Sequence, residues 1–462
     1  SDIVDGARAL PAIARVLVPA AGGLLGGFVA RRFVRVGGTM GIAQIMEVVT
    51  IGRRTVRFRQ SAARTLSSLL VISTGGSEGR EGPIIQMAAA FASAVGRLAR
   101  VSPERSQILV ACGMAAGVAG AYNTPISATL FVMELVVGSF SMAIFGPVVV
   151  SAVVSSVATR AVLGDEPLYR VAPFHLVSAR ELVPYVALGL LAGASAVLFT
   201  RTLRLAKRAF HATGWRDEVR MALGGAGVGV IGLWLPEVWG NGFEGTNRVL
   251  DGHLALALVV ALCAGKLLAT ALTIGSGGVG GVFTPGLMLG ATLGGALGLV
   301  VARFAPGFAA PVSSFALLGM GGILAGTTRA PFLTIIMMFE LTDSPALVLP
   351  MMIVATIAIV AARAFEPVSI YVEELREAGV RILPHAELKK KQRKLLRRHF
   401  KEFIFPALTP LAFDPGHPFP HISNLSINLA VVVRGDSHAD RFARLRAPVS
   451  LRVNPDVDAG TH

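Results

Sequence analysis

The chain has 462 residues, 53% of them hydrophobic and only 15% charged, with a mean hydropathy of +0.64. That is far too apolar for an ordinary soluble protein of this length and points to a polytopic membrane protein. The formal charge of +15 does not imply nucleic acid: Arg31, Arg32, Arg35, Arg53, Arg54, Arg57, Arg59 and Arg64 crowd one inter-helix region and Arg201, Arg204, Lys207 and Arg208 another, the pattern of cytoplasmic loops.

Ser1 leads almost directly into a first predicted membrane helix over residues 10–33, with no initiator Met and no signal-peptide pattern, so the N-terminus reads as truncated. A short glycine-opened helix follows at Thr39-Met40-Gly41-Ile42-Ala43, and its first turn would expose free backbone N–H groups. An apolar segment over about 61–75 then leads to Gly79-Arg80-Glu81-Gly82-Pro83, which heads a helix over 83–97. This puts a carboxylate at the start of a membrane helix. Ionisable groups at membrane depth cost about 3 kcal/mol or more and mark function by default. An Ala- and Gly-rich run from Ile108 to Val137 is broken at Asn123-Thr124-Pro125. Further apolar segments lie at roughly 141–163, 181–200, 221–239, 254–274, 284–303, 314–339 and 344–364. Their lengths suit bilayer-spanning helices, and their Gly and Pro interruptions predict broken ones.

The segment 113–135 recurs at 319–341, with Gly113, Met114, Pro125, Glu134 and Leu135 repeated 206 residues later. Upstream, Gly79 and Pro83 are matched by Gly281 and Pro285 at an offset of 202. Duplicated halves broken at matching positions predict a transporter-type fold whose binding site lies where the breaks meet. Glu134 and Glu340 read as structural carboxylates that hydrogen-bond backbone near an interface. Gly275 to Gly280 satisfy G-x-G-x-x-G but follow a membrane helix with no βαβ unit, so the dinucleotide reading fails. Cys112 and Cys263 sit in apolar segments and support neither a disulfide framework nor a Cys-based metal site. His385, His399, His417 and His421 are too irregularly spaced for a metal centre.

Gly79-Arg80-Glu81-Gly82-Pro83, Asn123-Thr124-Pro125, Gly281-Val282-Phe283-Thr284-Pro285 and Ser369-Ile370-Tyr371 occur together and in order. Over residues 10–371 the chain therefore resembles the CLC family of chloride channels and chloride/proton exchangers. The resemblance implies an all-α polytopic membrane fold of inverted repeats with broken, tilted helices. It also implies a homodimer in the inner (plasma) membrane, each subunit with its own anion pathway and a cytoplasmic C-terminal tail. Glu81 becomes the gate and proton carrier. Met40, Gly41, Ile42, Arg80, Gly82, Val282, Phe283 and Tyr371 become the anion-binding set, with Arg64 near the inner vestibule. The implied partners are a small inorganic anion, protons, the lipid bilayer and a second copy, with no cofactor, no metal and no nucleic acid. Helix N-termini suit such a pathway, because partial charges attract chloride without trapping it. Two departures bear on the ion and the proton. Met40 stands where the family commonly has a serine, and Leu135 stands where exchangers often carry an inner glutamate. The reading favours chloride transport with exchange, over a passive channel or a fluoride/proton antiporter.

After Tyr371 the composition changes, and residues of about 373–448 resemble a fragment of polyphosphate kinase lacking that enzyme's phosphohistidine and ATP-binding domains. The chain is thus read as no enzyme, and a membrane-anchored role in polyphosphate metabolism as the weakest alternative. The domain reading is a membrane domain over 1–371, with halves at about 10–163 and 180–371, and a cytoplasmic, short α/β fragment over 372–462. The basic run 389–398 reads as a solvated helix face. The apolar run Ile427 to Val433 reads as a strand without the partners a sheet requires.

Overall fold

A computed structural model describes residues 3–33, 41–51, 56–164, 168–169, 179–308, 310–377, 388–401, 410–412, 427–434 and 440–447. The chain divides into two compact units, Ser1–Val380 and Arg381–His462. In the first unit most of the described residues are helical. Ala12–Phe33, Met142–Leu163, Leu182–Ala212, Leu256–Ser276, Phe283–Phe304 and the stretch Pro345–Arg376 are long and apolar enough to cross a bilayer. Shorter apolar helices, among them Val312–Thr328 and Pro331–Thr342, complete the unit. Small residues set its packing. Phe283–Phe304 and Val312–Thr328 approach so closely that a Cβ on Gly290 would lie 2.3 Å from the Gly319 carbonyl oxygen. In lipid, where apolar burial drives no association between helices, such backbone contact carries the packing.

The sequence repeat is matched by a repeat of local structure. Helix Pro103–Tyr122 ends at Asn123 with φ 58°, and its counterpart Val312–Thr328 ends at Arg329 with φ 64°, each two residues before a proline that opens the next helix. A left-handed residue followed by X-Pro stops a helix and redirects the chain. The halves then brace each other reciprocally. Glu134 accepts the backbone N–H groups of Phe332 (3.2 Å) and Leu333 (2.7 Å), at the start of helix Pro331–Thr342. Glu340 accepts those of Ile126 (2.9 Å) and Ser127 (2.6 Å), at the start of helix Pro125–Leu130. Each glutamate caps the helix of the opposite half, the backbone-bonding role the sequence suggests. Removing one carboxylate strips two donors of their partner and an anion from a helix N-terminus. Glu134→Ala and Glu340→Ala are each expected to cost about 1–2 kcal/mol, read as a lower melting temperature of the purified protein in detergent. An unchanged melting temperature would contradict the cap.

Several boundaries differ from the sequence reading. The segment predicted over 314–339 is two helices, because Arg329, Ala330 and Pro331 break it. The segment predicted over 221–239 is helix Asp217–Ile231 and a separate turn at Pro236–Val238. Helices Ile3–Ala9 and Phe243–Leu250 were not legible, being short and, in the second case, polar on one side. The first unit also runs past Tyr371. Helix Ile370–Glu377 buries Tyr371 and Leu375, and its Glu373 pairs with Arg204, so part of the basic cluster at 201–208 is answered by the chain's own acids. Arg201 and Arg204 also pair with Glu366.

In the second unit, helix Lys390–His399 carries the basic run largely exposed, as expected for a solvated face. The strand reading needs correction. Ile427–Arg434 pairs antiparallel along its whole length with Asp440–Ala447, which also pairs with Pro410–Ala412. The partner strand has no apolar run longer than two residues, so its pairing was hidden from an argument that looked for apolar runs.

Candidate functional site

The two glycine-led motifs meet at the centre of the first unit. Gly79 and Gly281 form an isolated antiparallel bridge, N–H to carbonyl at 2.7 Å in one direction and 2.8 Å in the other. Residues at equivalent places in the repeat thus pair directly with each other. The bridge sets helices Glu81–Leu98 and Phe283–Phe304 with their first turns beside each other. Ile42–Ile51 and Ile370–Glu377 pack nearby, and Ile42, Tyr122, Phe283 and Tyr371 share one buried apolar cluster.

Glu81 crosses from the first half to the second. Its carboxylate, in a residue only 2% exposed, takes Oε1 to the N–H groups of Phe283 (3.0 Å) and Thr284 (3.2 Å), and Oε2 to the Thr284 hydroxyl (3.0 Å). It occupies the free amides of a helix N-terminus, where an inorganic anion would find its donors. The donors are neutral. A carboxylate held by dipoles and hydroxyls can be displaced by a proton or a competing anion more readily than one locked to an arginine.

Of the residues expected at the site, Ile42, Gly82, Phe283 and Tyr371 are buried and Gly41 and Val282 partly buried. Arg80 is exposed. Met40 lies outside the described residues. Arg64, placed by resemblance near a vestibule, is buried and donates to Gln44 Oε1 at 2.7 Å, which ties helix Phe58–Ser73 to Ile42–Ile51.

Residues 22–363 match the family described as voltage gated chloride channel. A ClcB-like chloride channel protein of Ralstonia nicotianae is 41% identical over 389 residues, covering 83% of this chain and 91% of that one. The voltage-gated ClC-type chloride channel ClcB of Salmonella dublin is 35% identical over 380 residues, covering 81% and 90%. The chain belongs to the voltage-gated chloride channel family. It is therefore a multi-pass membrane transport protein, not an enzyme. Solved structures agree in fold. A slow cyanobacterial Cl-/H+ antiporter superposes with TM-score 0.74 at 23% identity, covering 80% of this chain and 88% of that one. A CLC-type fluoride/proton antiporter superposes with TM-score 0.62 at 24% identity, covering 78% and 96%. Residues 391–454 separately match the polyphosphate kinase middle domain.

Within this channel-family frame, three polar groups escaped the sequence reading. Glu78 is fully buried and takes the Ser68 hydroxyl at 2.7 Å and the Gly280 N–H at 3.0 Å. Glu78 reaches Gly280 and Glu81 reaches Phe283 across the same 202-residue spacing, so two carboxylates from one half fasten the motif of the other. Lys266, in a helix that otherwise reads as apolar, is 1% exposed and donates to the carbonyls of Val238 and Gly240, both at 3.0 Å. Tyr122 reaches Thr284 from the first half, its hydroxyl 2.9 Å from Thr284 Oγ1. Its place directly before Asn123-Thr124-Pro125 was the available signal.

Proposed function

We propose that this chain carries chloride across the membrane with Glu81 as both gate and proton carrier. The observation that carries the reading is the Glu81 carboxylate seated on the Phe283 and Thr284 amides and the Thr284 hydroxyl. Ionised, it fills an anion site and blocks it. Protonated, it loses the charge that the helix N-terminus stabilises and leaves the amides to chloride. One side chain then alternates between proton and anion, which is the requirement for exchange. Leu135 packs against the apolar core where an inner glutamate would serve, so in this reading water conducts the proton from the cytoplasmic side.

The same reading takes the protein to be a homodimer in the inner membrane with a cytoplasmic C-terminal unit. Ile126, Phe140, Met142, Phe332, Leu349 and Met352 remain exposed along the mutually capped helices and their continuations. That apolar face suits a second copy or lipid. Fluoride export is the second reading, raised by Met40 standing where the family commonly has a serine. Purified protein in liposomes loaded with chloride or fluoride separates the two. Chloride efflux faster than fluoride efflux, accompanied by proton uptake, is the expected result. Fluoride efflux with no chloride flux would replace the first reading by the second.

A further inference from the structure

Glu81 is held by two amides and one hydroxyl, and that hydroxyl is itself held. Tyr122 closes helix Pro103–Tyr122, and the left-handed Asn123 turns the chain away immediately after it. Its ring packs on Phe283 with centroids 5.4 Å apart, and the residue is 6% exposed. Its hydroxyl lies 2.9 Å from Thr284 Oγ1, which lies 3.0 Å from Glu81 Oε2.

The direction of this chain follows from donor counting. An ionised carboxylate only accepts, so the single Thr284 hydroxyl proton goes to Glu81. Thr284 Oγ1 can then only accept from Tyr122, whose proton it takes. Every hydrogen bond in the series points toward the gate. Hydroxyls aligned in this way polarise one another, so the last donor is stronger than an isolated threonine.

We propose that Tyr122 is a positioning residue for the anion site: through Thr284 its hydroxyl sets how strongly the site holds whichever anion occupies it, the Glu81 carboxylate or the transported ion. The inference rests on the gate reading of Glu81 and adds the group that tunes it. It assigns competition a structural dial, since the same donor chain serves both occupants. Weakening it loosens the gate and the substrate together, so the two effects must be read separately.

Two measurements separate them. The groups within electrostatic reach of Glu81 are Glu78, Lys266, Tyr122, Tyr169 and Tyr371, with Arg80 beside it in the chain. Tyr122→Phe removes that one hydroxyl and leaves the other groups and the ring contact in place. A donor that favours the ionised gate is weakened, so Glu81 takes its proton more readily. The pH of half-maximal chloride flux should therefore move upward, by about half to one unit. In a Glu81→Gln background the charged competitor is gone. There Tyr122→Phe should weaken apparent chloride affinity about three- to tenfold and leave maximal flux within about twofold.

Thr284→Val should produce both shifts, and adding Tyr122→Phe to it should produce nothing further, because the chain is already cut. The Thr284→Val comparison also serves if Tyr122→Phe does not fold. Unchanged pH response and unchanged chloride affinity in Tyr122→Phe would overturn the proposal, as would full additivity with Thr284→Val. Failure of the gate reading looks different. In that case Glu81→Gln alone would keep the parent's pH response.

Discussion

Glu81→Gln is expected to abolish proton movement in liposomes while chloride continues to cross, and to flatten the dependence of chloride flux on pH. The argument is stereochemical. Glutamine keeps the length and shape of the side chain, and its carbonyl oxygen can still accept the Phe283 and Thr284 amides that Oε1 now accepts. What disappears is the charge. Hydrogen bonds to an ionised acceptor are roughly twice as strong as neutral ones, so the glutamine holds its seat weakly and chloride displaces it. It also has no proton to take up or release at the pH of transport. A flux limited by one protonation changes about tenfold per pH unit above its midpoint, and that slope should vanish in the variant. Simultaneous chloride and pH recordings from the same vesicles check it. A variant that still acidifies the lumen in step with chloride would remove Glu81 from the role.

The meeting of the matched motifs was legible in the sequence. The near-equal offsets of Gly79 and Gly281 (202) and of Glu134 and Glu340 (206) predict that the halves meet around those motifs. The bridge between the two glycines and the crossed caps are where they meet. The partners themselves were not legible. A repeat states which positions are equivalent, and only folding decides whether equivalent positions contact each other, as Gly79 and Gly281 do, or contact their neighbours crosswise, as Glu134 and Glu340 do. Thr284 and Tyr122 were hidden for a related reason. Each reads locally as an ordinary helix-end residue, and the meaning of their hydroxyls arises from a contact between residues 162 apart. Lys266 was hidden by composition. One lysine in an apolar segment barely moves its hydropathy, although burial forces it to find the carbonyls of Val238 and Gly240. In the second unit the error ran the other way. The scattered charges of Asp440–Ala447 disguised a strand whose backbone pairs fully with its neighbour.

The bridge leads to the second large effect. Gly281→Ala is expected to hold the gate open without altering its charge. A methyl group built on Gly281 would lie 2.3 Å from Glu81 Oε1 and 2.7 Å from its carboxyl carbon. Gly281 does not have a left-handed φ, so alanine fits its backbone without strain, and the three atoms nearest the methyl all belong to the Glu81 side chain. The end of a side chain yields more cheaply than a bridged backbone, so Glu81 must leave the Phe283 and Thr284 amides. Chloride flux should then persist at alkaline pH, where on the gate reading an ionised Glu81 closes the parent, and protons moved per chloride should fall. The comparison with Glu81→Gln is informative because one variant removes the charge and keeps the seat, and the other keeps the charge and removes the seat. Their effects should not add. In a Glu81→Ala background the methyl group meets no carboxylate, and Gly281→Ala should change flux little there. A melting temperature near the parent's would show that the Gly79–Gly281 bridge survives. Parent-like closure at alkaline pH in Gly281→Ala would mean that the carboxylate closes the pathway from some other place than this helix N-terminus.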